Sequence, residues 1–91
     1  MPKLSAFAID GIDLWFWSNE HAPPHFHAAR VDEWEVTVRF MLCTQEALDF
    51  KVEWGDKPRA KDLKALLGAV LHHRDALLVE WETKVLPKEV I

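Results

Sequence analysis

Two seven-residue stretches of the chain alternate strictly between apolar and polar positions. WEVTVRF places Trp34, Val36, Val38 and Phe40 on one side and Glu35, Thr37 and Arg39 on the other; LDFKVEW places Leu48, Phe50, Val52 and Trp54 opposite Asp49, Lys51 and Glu53. A period of two predicts half-buried strands, apolar face inward, with MLCTQEA as their connection. Nearer the N-terminus, SAFAIDGIDLWFW reads as a hairpin turning at Asp10-Gly11, a pair that suits a turn with positive φ at both positions. In that register Ile9 faces Ile12, Phe7 faces Leu14 and Ser5 faces Phe16, and the other side carries Leu4, Ala6, Ala8, Asp13, Trp15 and Trp17. Both faces are then substantially apolar. Between the hairpin and WEVTVRF a further short strand is expected over HFHAARV.

After Gly55 the period lengthens. Leu63, Leu66, Leu67, Val70, Leu77, Leu78 and Trp81 recur at helical spacing, with Asp56 as the expected N-cap, Pro58 in the first turn and Pro87 as the stop. The helix is expected within about residues 57–85; roughly 25 helical residues would span about 37 Å at 1.5 Å per residue. The fold class that follows is α+β: a small antiparallel sheet of about four to five strands, β-rich over residues 1–55, packed by one long C-terminal helix.

One helix covers one sheet face, yet the first hairpin is apolar on both. Either loops and the last residues, KEVI, cap the second face, or Leu4, Trp15 and Trp17, together with Phe26, form an interaction surface for a second copy or another protein. Composition adds bounds. Ninety-one residues with 49 % hydrophobic and 29 % charged positions, and no repeat or low-complexity tract, fit one small globular domain, 1–91. The formal net charge of −4 argues against general affinity for nucleic acid or anionic membrane. Lys57, Arg59, Lys61 and Lys64 stand at the start of the helix, where positive charge opposes the macrodipole; with Asp56 and Asp62 among them they read as a solvated face. Cys43 is the only cysteine, which excludes an internal disulfide and a thiolate zinc site. No signal-like or membrane-spanning run is present, so a cytoplasmic protein is expected.

The chemistry concentrates in HAPPHFH, residues 21–27, which holds three of the five histidines. If His25 to His27 is extended, their Cα atoms lie about 6.6 Å apart on one face, a separation that lets two imidazoles converge on one ion. Pro23 and Pro24 restrict the preceding turn, so His21 or Glu20 returns toward the pair at small entropic cost. His21, His25 and His27 with Glu20 are therefore candidate ligands for Zn²⁺, Mn²⁺ or Fe²⁺. The same residues can instead serve as hydrogen-bonding partners in a turn or as a recognition surface, and the residues alone leave these alternatives open. His73, in register with Leu66, Val70 and Leu77, is a candidate packing or outer-layer partner of the site. The three glycines are isolated, so no phosphate-cradling loop exists.

HAPPHFH, preceded by MPKLS and Gly11-Ile12 and followed by a helix ending HRDALLVEWE, resembles the bacterial proteins grouped as domain of unknown function 4160. His21, Pro23, Pro24, His25, Phe26 and His27 fit the first of their motifs, and His73, Arg74, Leu77, Trp81 and Glu82 the second. Glu20 stands where the family usually has Asp, and residues 41–60 depart from its pattern. The resemblance implies a small bacterial protein often encoded beside another small protein, a pairing of toxin–antitoxin type, without implying a reaction. Two functions follow as expectations. One is a non-enzymatic interaction or regulatory module with its surface at HAPPHFH. The other is a His-rich metal site, structural or hydrolytic, in which the ion acidifies a bound water and Glu20 acts as base.

Overall fold

The computed structural model describes residues 2–17 and 20–85. Four strands, β1 (Asp13–Trp15), β2 (Phe26–Arg30), β3 (Trp34–Val38) and β4 (Phe50–Gly55), form one antiparallel sheet in the order β1-β2-β3-β4. Among the described residues a single α-helix, α1 (Ala60–Lys84), follows, and a short 3-10 turn, Phe40–Leu42, lies within the β3–β4 connection. This is the expected α+β arrangement. Among the described residues no helix is long and apolar enough to cross a membrane.

Alternation sorts the rows of the sheet. Phe26, Val38 and Phe50 are register partners, as are Ala28, Val36 and Val52, with Leu14 opposite Ala28. Leu14, Phe26, Ala28, Val36 and Val38 join Leu66, Val70, Leu77 and Trp81 of α1 in one buried cluster, which is why the period-two and period-3.6 patterns each present one apolar side. The intervening row, Trp15–His27–Thr37–Lys51, lies on the other face of the sheet.

The first hairpin differs from expectation. Ile9 does face Ile12, but Lys3 pairs with Trp15 and Leu4 N–H reaches Leu14 O, so the arm carries three more residues than a two-residue hairpin in register allows. The segment 5–8 leaves the ladder, and the arm contributes only isolated bridges in place of a fifth strand. Only Gly11 of the turn pair has positive φ, +81°, and its missing Cβ makes room for the Arg30 guanidinium. What holds the arm down is Glu80 of α1, a buried carboxylate that accepts the backbone N–H groups of Ser5 and Ala6 at 2.6 and 2.9 Å.

β4 departs in a second way. The register shifts between Glu35 and Val36, so that Val36 meets Val52 while Glu35 meets Trp54, and Glu53 is the extra residue of a bulge. The bulge breaks the alternation, placing Trp54 on the same face as Glu35. Trp54 is therefore 50 % exposed where the pattern predicts it buried.

The helix begins at Ala60 rather than at 57, with Arg59 as a cap that makes no side-chain hydrogen bond. Asp56 is not the cap because its N–H is bound to Glu33 O at the end of the sheet, and Pro58 disfavours helical backbone at Lys57. The first turn is fixed instead by Asp62, which takes a two-point contact from Arg30 of β2 (Nε to Oδ2 3.1 Å, Nη2 to Oδ1 2.9 Å). The proposed stop at Pro87 and the capping role of KEVI fall outside the described residues.

A histidine and carboxylate cluster at the start of β2

Glu20, His25 and His27 converge where β2 begins. Their ligand atoms all lie within 4.8 Å of one another. His25 Nε2 is 3.0 Å from Glu20 Oε1, and His27 Nε2 is in close contact with Glu20 Oε2, so the carboxylate spans the two rings with one oxygen each. His27 belongs to the row opposite the helix. His25 precedes the strand, and its ring lies 5.2 Å from that of Trp81 in α1. The site therefore straddles the sheet's end.

Its surroundings are aromatic. Trp15, the register partner of His27, stacks on that imidazole at 5.6 Å and 23°, and Trp17 meets it edge-on at 6.3 Å. His27 is 8 % exposed, and the side chains of His25 and Glu20 are 13 % and 16 % exposed. For Glu20, burial pushes the carboxyl upward, but hydrogen bonds and charge interactions with His27 and His25 outweigh it and hold the group below its ordinary value.

The outer hydrogen bonds decide what the rings present to Glu20. A backbone carbonyl only accepts, so His25 Nδ1 donates to Pro23 O at 2.8 Å. Thr37 spends its one hydroxyl hydrogen on Glu53 Oε2 at 2.7 Å, which leaves its oxygen to accept from His27 Nδ1 at 3.3 Å. Both tautomers, assigned from this network, put the hydrogen on Nδ1. Each Nε2 then donates to the ionised carboxylate only where its ring takes up a second proton; a neutral ring of this tautomer turns a lone pair toward it. Lone pairs face lone pairs unless a cation, a proton or a metal ion, stands among them.

The other expected residues are distributed differently. His21 is exposed and lies outside the cluster. His73 stacks on Phe7 at 5.5 Å and has non-helical φ/ψ inside α1; its ring belongs to the packing of the N-terminal arm. Of the expected interaction surface, Phe26 is fully buried in the core, Trp15 is 6 % exposed and stacked on His27, and Leu4 is packed partly against the core; Trp17, at 46 %, is open. Both oxygens of Glu20 are engaged, one by each ring. Thr37, Glu53 and Trp81 are the residues the motif does not announce. Alternation signals Thr37 as outward-facing, but only the β2–β3 register sets it beside His27.

A family model matches residues 11–82 of the 91. The chain belongs to the family described as domain of unknown function DUF4160. No curated protein and no solved structure matches it. The matched span of this DUF4160 member contains Glu20, His25, His27, Thr37, Glu53 and Trp81, whereas most of the arm held by Glu80 precedes it.

Proposed function

We propose that this protein binds a divalent transition-metal ion through Glu20, His25 and His27. The observation that supports the reading is the hydrogen-bond pattern: each Nδ1 has an acceptor, which leaves two Nε2 atoms beside one carboxylate, with ligand atoms of all three residues within 4.8 Å of one another. Ligands sharing one ion at about 2.1 Å stand about 3.0–3.4 Å apart, so an ion would draw the most separated of these atoms together by no more than about 2 Å and would part the close contact of Glu20 with His27. Two imidazoles and one carboxylate suit Zn²⁺, Mn²⁺ or Fe²⁺, and acceptors on the far ring nitrogens are the usual outer partners of metal-bound histidine. Such an ion would supply Lewis acidity, with positions left open for water or another ligand.

The test is elemental mass spectrometry of untagged protein prepared without chelator, beside His27→Ala, with titration of added Zn²⁺, Mn²⁺ and Fe²⁺. The expected result is about one equivalent of metal in the wild type and none in the folded variant. A wild type that is metal-free and takes up none of the three ions would overturn the reading and leave protons as the cations of the cluster.

A second reading is favoured by the exposed Trp17 ring against His27: recognition of a small protein partner at this surface. Capture of a neighbour-encoded protein that is lost in Trp17→Ala and kept in His27→Ala would favour it over a metal-centred contact.

A further inference from the structure

The sheet ends on β4, and among the described residues nothing pairs with its outer edge. From Lys51 to Gly55 every residue is exposed. Which backbone groups face outward follows from one bond: Arg39 N–H donates to Asp49 O at 3.0 Å, so Asp49 points its carbonyl toward the β3 side. Successive residues alternate in an antiparallel ladder, so Phe50 and Val52 direct their N–H and C=O groups away from the sheet.

We propose that two copies of this chain pair edge to edge through β4, antiparallel, about a two-fold axis at Val52. The axis position is set by charge. Lys51 lies in the row of His27 and Thr37, and Glu53 accepts a hydrogen bond from Thr37, so both side chains stand on one face of the sheet. Centred on Val52, Lys51 falls opposite the partner's Glu53 and Glu53 opposite the partner's Lys51. Moving the axis one residue either way sets lysine against lysine or glutamate against glutamate, which is unfavourable for residues directly opposed. The same centre makes Val52 and the partner's Val52 exchange both backbone hydrogen bonds, and it covers a side chain that is 36 % exposed.

A lysine and a bulge on an edge strand normally discourage pairing. Here the strand carries the matching carboxylate two residues away, so the charges select one register rather than forbidding all. The contact is short, below the about 1,200 Å² of stable complexes, so the dimer is reversible and concentration-dependent. It does not depend on metal binding. It does bring the partner's Lys51 beside Glu53, whose carboxylate holds Thr37 against His27.

The test is sedimentation equilibrium of the full chain from about 10 μM to about 1 mM. The expected mass rises from 10.6 kDa toward twice that value. Lysine 51 to glutamate, Lys51→Glu, sets like charges against each other at two symmetry-related sites and is expected to weaken association about tenfold; adding Glu53→Lys to it restores opposite charges and association. Val52→Pro removes an outward N–H, which an edge strand tolerates, so circular dichroism is unchanged while pairing is lost. A wild type that stays at 10.6 kDa throughout, or association indifferent to both Lys51→Glu and Val52→Pro, would overturn the proposal.

Discussion

Replacing Glu80 with glutamine tests what fastens the N-terminal arm. The carboxylate receives Ser5 N–H on Oε2 and Ala6 N–H on Oε1, and Lys84 Nζ sits 2.6 Å from Oε2. Glutamine keeps one acceptor oxygen and turns the other into an NH₂ group facing an N–H, so one hydrogen bond is lost outright and the survivor loses its charge. Hydrogen bonds to charged groups contribute about 1.5–3 kcal/mol each, so the expected loss is about 2–4 kcal/mol. In a chain of this length each kcal/mol moves the melting temperature by about 4–8 °C, so Glu80→Gln should melt about 10–25 °C lower. Lys84→Met is the control. Its ammonium is partly exposed and also donates to Lys3 O and Ser5 Oγ, and its pair with Glu80 is worth about 1 kcal/mol or less. The assay is calorimetric melting of metal-free protein at neutral pH. A Glu80→Gln variant within about 0.5 kcal/mol of wild type, or less affected than Lys84→Met, would refute the claim that this buried carboxylate fastens the arm.

Two further outcomes follow. Thr37→Val removes the acceptor that orients His27 Nδ1, and isothermal titration should show metal affinity lowered about 10–100-fold with the metal-free fold intact. Cys43 is buried, and burial pushes its thiol above the ordinary value, partly offset by the Asp49 N–H that it accepts. Alkylation at pH 8 should therefore be slow until the protein unfolds. With the folded thiol raised, its contribution to stability is constant below the unfolded value near 9.0 and declines as pH rises past it; a Cys43→Ala variant should lose that alkaline decline.

The strands and helix were legible wherever one period held without interruption. Val36 and Val38, and Leu66, Val70 and Leu77, each mark a face that the fold buries. Legibility failed where extra residues in one strand changed the phase. The bulge at Glu53 sends Trp54 to the open face, and the surplus in the arm detaches residues 5–8 from β1. Neither event leaves a mark in hydrophobicity, since a bulge alters backbone pairing rather than composition. Glu80 illustrates the same limit: a glutamate in the last turns of a helix reads as a solvent-facing charge, and only the return of a segment 75 residues away makes it an interior anchor.

The cluster at β2 was legible as a concentration of residue types that can hold a metal, with one member too many. The sequence offered His21 or Glu20 beside His25 and His27; the polypeptide brings in Glu20 and leaves His21 exposed. What separates the cluster from an ordinary hydrogen-bonded turn is also absent from the local sequence. Pro23 supplies a carbonyl to one ring from within the motif, but the other ring depends on Thr37 being ten residues away and on Glu53 consuming its hydroxyl hydrogen. Without Glu53 that hydroxyl would be free to donate to His27 Nδ1, the ring would carry its hydrogen on Nε2, and Glu20 would meet a donor instead of a lone pair. The proposed cation site thus rests on a strand that the motif never reaches, and the hydrogen bonds through Thr37 link His27 to the edge of the sheet where Glu53 stands.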